Sequence, residues 1–179
     1  MRITRLLIIA IIVGSIYFYV KQHSGVSSGW QTISIETPNT IPLATIQFPQ
    51  RPVSKTFQRN ISSLGKIEFT TYQAVYDKHL FIVLAVSSIE KDIQQKNIQA
   101  LVPAIHAIND TSLSTISHKQ AFVQQSYQGI EYKASNDSGS EAWCRTIKNG
   151  NQLLSVIYTS STSVLDIGPR DRFFRSLKL

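Results

Sequence analysis

Ile67–Tyr76, IEFTTYQAVY, and Leu80–Val86, LFIVLAV, meet at Asp77-Lys78. The first half is rich in β-branched and aromatic residues, which suit a pleated, half-buried surface. The second half is continuously apolar, as a strand buried on both faces is. With so short a connection the two form an antiparallel hairpin, and LFIVLAV is expected to be a central strand.

The neighbouring segments repeat the pattern. Glu141–Lys148 and Gln152–Ser160 flank Asn149-Gly150, and Asn-Gly between two β-rich runs is the strongest short hairpin signal. Further strands are predicted at Trp30–Glu36, Ala44–Phe48, Val53–Asn60, Ser114–Gln125 and Tyr127–Ser135. Thr37–Pro42 reads as a loop, and Ser62–Gly65 and Asn136–Ser140 as turns. Pro49 and Pro52 stop the second of these strands. Asp92–Asn109 changes period: Ile98, Leu101, Val102, Ile105 and Ile108 follow helical spacing, with Pro103 expected to kink or split the helix. Asp166–Arg175 is predicted as a short helix with Phe173 and Phe174 turned inward, and Ser176–Leu179 as a last short strand. Tight turns and segregated helices define an α+β class, a mainly antiparallel sheet packed by one longer and one short helix. The expected core holds Phe48, Phe69, Leu80, Ile82, Leu84, Leu101, Ile105, Leu154, Val156 and Phe174.

The chain of 179 residues opens differently. Leu6–Val20, LLIIAIIVGSIYFYV, is an almost unbroken apolar run behind Arg2 and Arg5. Its length lies between a signal peptide's apolar region and a spanning helix. Ile3, Thr4 and snorkelling flanks bring it to spanning length. Val26-Ser27-Ser28 offers only a weak, late cleavage site, so the expectation is a retained single anchor rather than a cleaved signal. The leading arginines place the N-terminus in the cytoplasm. The expected organisation is residues 1–21 as N-terminus and inner-membrane anchor, 22–29 as linker, and 30–179 as one exported domain in the periplasm.

The formal charge is +7. It is scattered, apart from Arg170, Arg172, Arg175 and Lys178 against Asp171, and that tail is the candidate contact for a partner. A nucleic-acid site needs clustered charge and exposed aromatics, so no nucleic acid is expected. Cys144 is the single cysteine, in AWCRTI. It reads as a small buried hydrophobe; a reactive thiol or an intermolecular bridge is the other reading. His23, His79, His106 and His118 are scattered without metal-ligand spacing, and no cofactor or metal is expected. No serine lies in a nucleophile elbow. Asn60, Asn109 and Asn136 begin N-x-[ST] triplets of a kind that chance supplies in a Ser/Thr-rich chain. Trp30 and Trp143 read as half-buried packing, or as a binding platform beside a basic residue.

Four short motifs carry a resemblance. They are Phe48-Pro49-Gln50-Arg51-Pro52 and Leu64-Gly65-Lys66-Ile67, then Tyr127-Gln128-Gly129-Ile130-Glu131-Tyr132, and finally Arg172–Leu179, RFFRSLKL. In this order, over roughly residues 44–179, the chain resembles small bacterial exported domains of the PsbP/Mog1-like fold. It departs from them in carrying Leu177 where an aromatic is common and Gln50 where a glycine is common. The resemblance implies an antiparallel sheet sandwiched by helices, and an accessory or assembly role more than an enzymatic one. Gly129 is expected to permit a bulge or a positive φ. The expected function is therefore a membrane-tethered, non-enzymatic interaction module of an envelope assembly such as a secretion or transport complex, with a protein partner. The alternative is a periplasmic ligand-binding or hydrolytic domain.

Overall fold

The computed structural model describes residues 29–37, 42–61, 65–86, 97–108, 115–124, 127–135, 141–160 and 167–179. The expected anchor and the linker up to residue 28 lie outside the described residues. Among the described residues no helix is long and apolar enough to cross a membrane.

Among the described residues nine strands and two helices follow one another. They are β1 (Gln31–Ile35), β2 (Ala44–Phe48), β3 (Val53–Ile61), β4 (Gly65–Tyr76), β5 (His79–Val86), α1 (Ile98–Ile108), β6 (Thr115–Gln124), β7 (Tyr127–Ser135), β8 (Glu141–Asn149), β9 (Gln152–Ser160) and α2 (Ile167–Arg175). Strands β3 to β9 form one sheet in the order β3-β4-β5-β9-β8-β7-β6, and β1 and β2 form a second of two strands. Every ladder is antiparallel. The hairpins come from local turn chemistry. Asp77 and Lys78 both take positive φ, 43° and 65°, the type I′ geometry that matches strand twist. In the other tight hairpin Asn149 pairs with Gln152, so the two central residues are Gly150 and Asn151, one position later than the Asn-Gly signal suggests. Gly150 alone supplies the positive φ, 55°.

Alternation along the strands builds two cores. Ile98, Leu101, Val102 and Ile105 of α1 lie over Ile67, Phe69, Leu84, Val86 and Leu153 on one side and Ile130, Tyr132, Cys144 and Ile157 on the other. On the opposite face, Phe81, Val83, Leu154, Val156 and Tyr158 meet Ile35, Ile46 and Phe48 of the small sheet and Phe173 and Phe174 of α2. The domain is thus three layers: α1, the large sheet, and the β1–β2 hairpin with α2.

Three expectations change in detail. α1 runs through Pro103 as one element, not two. Asn97 starts it, its side-chain oxygen accepting from the Gln99 N–H at 3.0 Å, as an N-cap does. Pro103 is exposed, so its ring adds no crowding to the core. Leu80 and Ile82 are half-buried while Phe81 and Val83 are fully buried. Full burial on both faces begins only at Val83, where α1 covers the second face. The final strand is a single bridge, Thr45 to Lys178, with N···O distances of 2.8 and 2.9 Å.

Candidate functional site

The predicted contact residues sit on and just after α2, and the structure divides them. Arg170 stacks its guanidinium 4.7 Å from the Trp143 ring centroid and pairs with Asp171. Arg172 lies 4.6 Å from the Trp30 ring and reaches the Gln47 side-chain oxygen at 3.4 Å. Both arginines therefore help to seat the helix. Arg175 is 83 % exposed with a loose 3.8 Å contact to Asp171, and Lys178 is exposed. Each tryptophan is half-buried, as the packing reading expects, and an arginine lies over each ring.

A third arginine, not singled out by the sequence, anchors the same layer. Arg145 donates to Glu131 at 2.7 and 3.1 Å and to the Phe174 carbonyl at 3.3 Å. Its guanidinium lies 5.2 Å from the rings of both Phe122 and Phe174. It thus places a cation at the last turn of α2, where the helix carbonyls are unsatisfied. Glu131 stands directly across the ladder from Arg145. That pairing follows from register, which the sequence alone does not display.

Gly129 belongs to this arrangement. It pairs with Phe122, and a Cβ built on it would fall 2.2 Å from the tip of the Phe122 ring. The ring lies where a side chain would be and turns a face toward Arg145. Gly129 is neither bulged nor at positive φ; those features are elsewhere. The register shift falls between Ser117 and Gln120 in β6, with His118 at φ 50°, and Gly65 opens β4 at φ 75°.

Further hydrogen bonds tie the layer together. The Tyr72 hydroxyl accepts from the Glu36 N–H and donates to the Glu36 carbonyl, both at 2.9 Å. The Ser176 hydroxyl accepts from the Gln47 N–H at 2.9 Å and donates to the Phe173 carbonyl at 2.7 Å. Gln124 donates to the Leu177 carbonyl at 3.2 Å.

Cys144 is buried beneath α1, and burial pushes its thiol up to about 12. A thiol so shielded stays protonated and inert at neutral pH. Neighbouring Tyr132 is raised as well, again by burial. Its hydroxyl lacks a well-formed hydrogen bond. His79 is buried against Tyr158, its Nδ1 2.8 Å from the phenol oxygen. His106 is in α1, His118 is at the β6 irregularity, and His23 lies outside the described residues. Among the described residues no group of three His, Cys, Asp or Glu side chains could hold a metal. A cavity lined by Leu43, Ile147, Asn149, Gln152, Leu154 and Leu179 has a volume of about 10 Å³, roughly the room one water needs.

No protein-family model and no curated protein matches the chain. Solved structures do. The solution structure of cyanobacterial PsbP (CyanoP) from Synechocystis aligns with a TM-score of 0.52 at 12% identity, covering 88% of this chain and 95% of that one. The fold is PsbP-like. A crystal structure of a Pseudomonas aeruginosa protein of unknown function aligns at 9% identity with a TM-score of 0.33, covering 79% of this chain and 90% of that one.

Within the PsbP-like fold the sequence motifs have structural roles. Phe48 is fully buried, 5.2 Å from the Phe173 ring. Gln50, standing where a glycine is common, donates to the Val75 carbonyl at 2.8 Å and fastens the chain after β2 to β4. Leu177, standing where an aromatic is common, is buried in the α2 core.

Proposed function

We propose that this chain is a membrane-tethered accessory module of the bacterial envelope, exported to the periplasm and acting by binding a protein partner rather than by catalysis. The observation that carries this reading is where the chain enters the domain. Trp30 is held by Arg172 and sits 5.7 Å from the Phe81 ring. The nine residues from Lys21 to Gly29 connect it to the apolar run, a reach of at most about 30 Å. In this reading the tether enters the domain beside α2, which carries the exposed Arg175 and is followed by the exposed Lys178. Tethering raises the effective concentration of any neighbour in the same membrane, so a modest recognition surface suffices.

Membranes from cells making the full chain test the tether. The protein should resist alkaline extraction, and protease added to spheroplasts should digest it. Release by alkali, or protection from protease, would overturn the topology. Co-purification after crosslinking in cells tests the role. A substrate turned over by the purified chain, with turnover abolished by one polar substitution, would overturn the binding reading.

A further inference from the structure

The small sheet and α2 turn one face to the core and another away from it. In β1 and β2, Ile33, Ile35, Ala44, Ile46 and Phe48 point inward. Thr32, Ser34, Thr45 and Gln47 point the other way, with Thr32 opposite Gln47 and Ser34 opposite Thr45. Thr45 and Lys178 exchange both backbone hydrogen bonds, at 2.8 and 2.9 Å, so their side chains share that outward face. Lys178 thus extends the row that Ser34 and Thr45 begin.

α2 adds two further cations. Phe173 and Phe174 are buried, and helical spacing puts Arg172 and Arg175 on the far side of the helix. Arg172 is exposed and reaches Gln47 while lying over the Trp30 ring. Arg175 is 83% exposed, and Lys178 is exposed. Asp171, held by Arg170 at 2.8 Å, and Glu36, just after β1, border the face.

Three hydroxyls, an amide and three cations are the outward side chains so placed, and none of them is apolar. A protein partner is held by a desolvated apolar centre with aromatic anchors. A layer of phosphate headgroups needs none, and guanidinium groups and hydroxyls donate well to phosphate oxygens. Where the chain arrives selects the source of the phosphate. The nine residues from Lys21 to Gly29 end at Trp30, whose ring lies 4.6 Å from the Arg172 guanidinium. A tether of that length keeps this face within about 30 Å of the bilayer. Three cations brought to an anionic surface favour contact on the order of a hundredfold.

We propose that the outward face of the third layer, with Arg172, Arg175 and Lys178, lies against the anionic lipid headgroups of the membrane that holds the chain. The inference rests on the reading of residues 6–20 as a retained anchor and goes beyond it. It assigns the side of the module that faces the bilayer and leaves the α1 side turned away from it, toward a partner.

The test uses the full chain in nanodiscs of phosphatidylcholine, alone or mixed with phosphatidylglycerol, each with a trace of headgroup-nitroxide lipid. A fluorophore on S34C reads the proposed face. One on V123C reads the other side, since Val123 is 74% exposed and alternates with Phe122, whose ring meets Arg145 and the α2 layer. Cys144 is buried, so the introduced thiol takes the label. Contact quenching at S34C should be several-fold stronger in anionic than in neutral discs, with little at V123C in either. Salt at about 0.5 M should remove most of the difference. R175E/K178E, which alters two exposed side chains, should remove it with the circular dichroism unchanged.

Equal quenching at the two labels, or in the two kinds of disc, overturns the docking and leaves the tether intact. Undiminished quenching in R175E/K178E overturns it as well. Displacement of the S34C label from anionic discs by micromolar soluble polyglutamate would assign the face to an acidic protein instead. A chain that does not co-elute with the discs has no anchor, and both readings fall.

Discussion

α1 and α2 cover opposite faces of one sheet by different means. Among its described side chains α1 buries four aliphatic ones, Ile98, Leu101, Val102 and Ile105, over clusters that are mostly aliphatic, with Phe69 and Tyr132 among them. α2 contributes two phenylalanines, and around them Arg170, Arg172 and Arg145 lie over aromatic rings. Aliphatic burial is non-directional and follows area. Arginine–aromatic stacking and a serine bridge are directional. A helix of nine residues has little stability of its own, so the directional contacts fix where α2 sits. The comparison teaches that a short helix with few apolar residues is placed by its rim.

The harshest way to break that contrast is to empty the centre under α2. Phe173→Ala removes a fully buried ring packed 5.1 Å from Phe81 and 5.2 Å from Phe48. It should cost about 3–5 kcal/mol in chemical denaturation. A loss below about 1 kcal/mol would show that the rim alone holds the helix.

The α1 side can be probed by pH. Folded Cys144 keeps its proton up to about 12, against 9.0 for an unburied thiol. Between these values the unfolded chain has lost a proton that the folded chain retains, so folding weakens as pH rises. This contribution should be level below pH 9 and be lost from there toward 12, as read from denaturation midpoints. Cys144→Ala should flatten part of that slope, and Tyr132, shifted the same way, should account for a further part.

Arg145 sharpens the comparison from the rim. Arg145→Ala should cost about 2 kcal/mol, the scale of charged hydrogen bonds lost together. Arg145→Lys should recover less than half of it, because an ammonium lacks the planar fork that bonds Glu131 while stacking on two rings.

Gly129→Ala tests the same unit more gently. It should cost about 1–2 kcal/mol by displacing the Phe122 ring. In a Phe122→Ala background the same change should cost almost nothing. At the small end, Arg175→Ala should change stability by less than about 0.5 kcal/mol, as expected for an exposed side chain with one loose ion pair.

The strands were legible because alternation and turn residues are local signals. β2, β7 and β9 fall at the predicted residues, and the others differ by a residue or two at their ends. α1 showed its buried face through helical spacing. What remained hidden depends on register across the sheet. Arg145 is readable only once Glu131 is known to oppose it, and the reason for Gly129 only once Phe122 does. For the same reason Arg170 and Arg172, taken from sequence as surface charges, turn out to rest on Trp143 and Trp30. Composition reports a charge; it cannot report which ring lies beneath it.

The place of β5 has a consequence for synthesis. Its far neighbour is β9, with Leu80 paired to Thr159 and Val86 to Leu153. A chain emerging N-terminus first therefore holds LFIVLAV with one edge bare until its last strand is made. Bare apolar edges of this composition associate with one another. A nascent chain stalled or cut before Ser160 is thus an aggregation seed and a protease substrate, not a partly working domain.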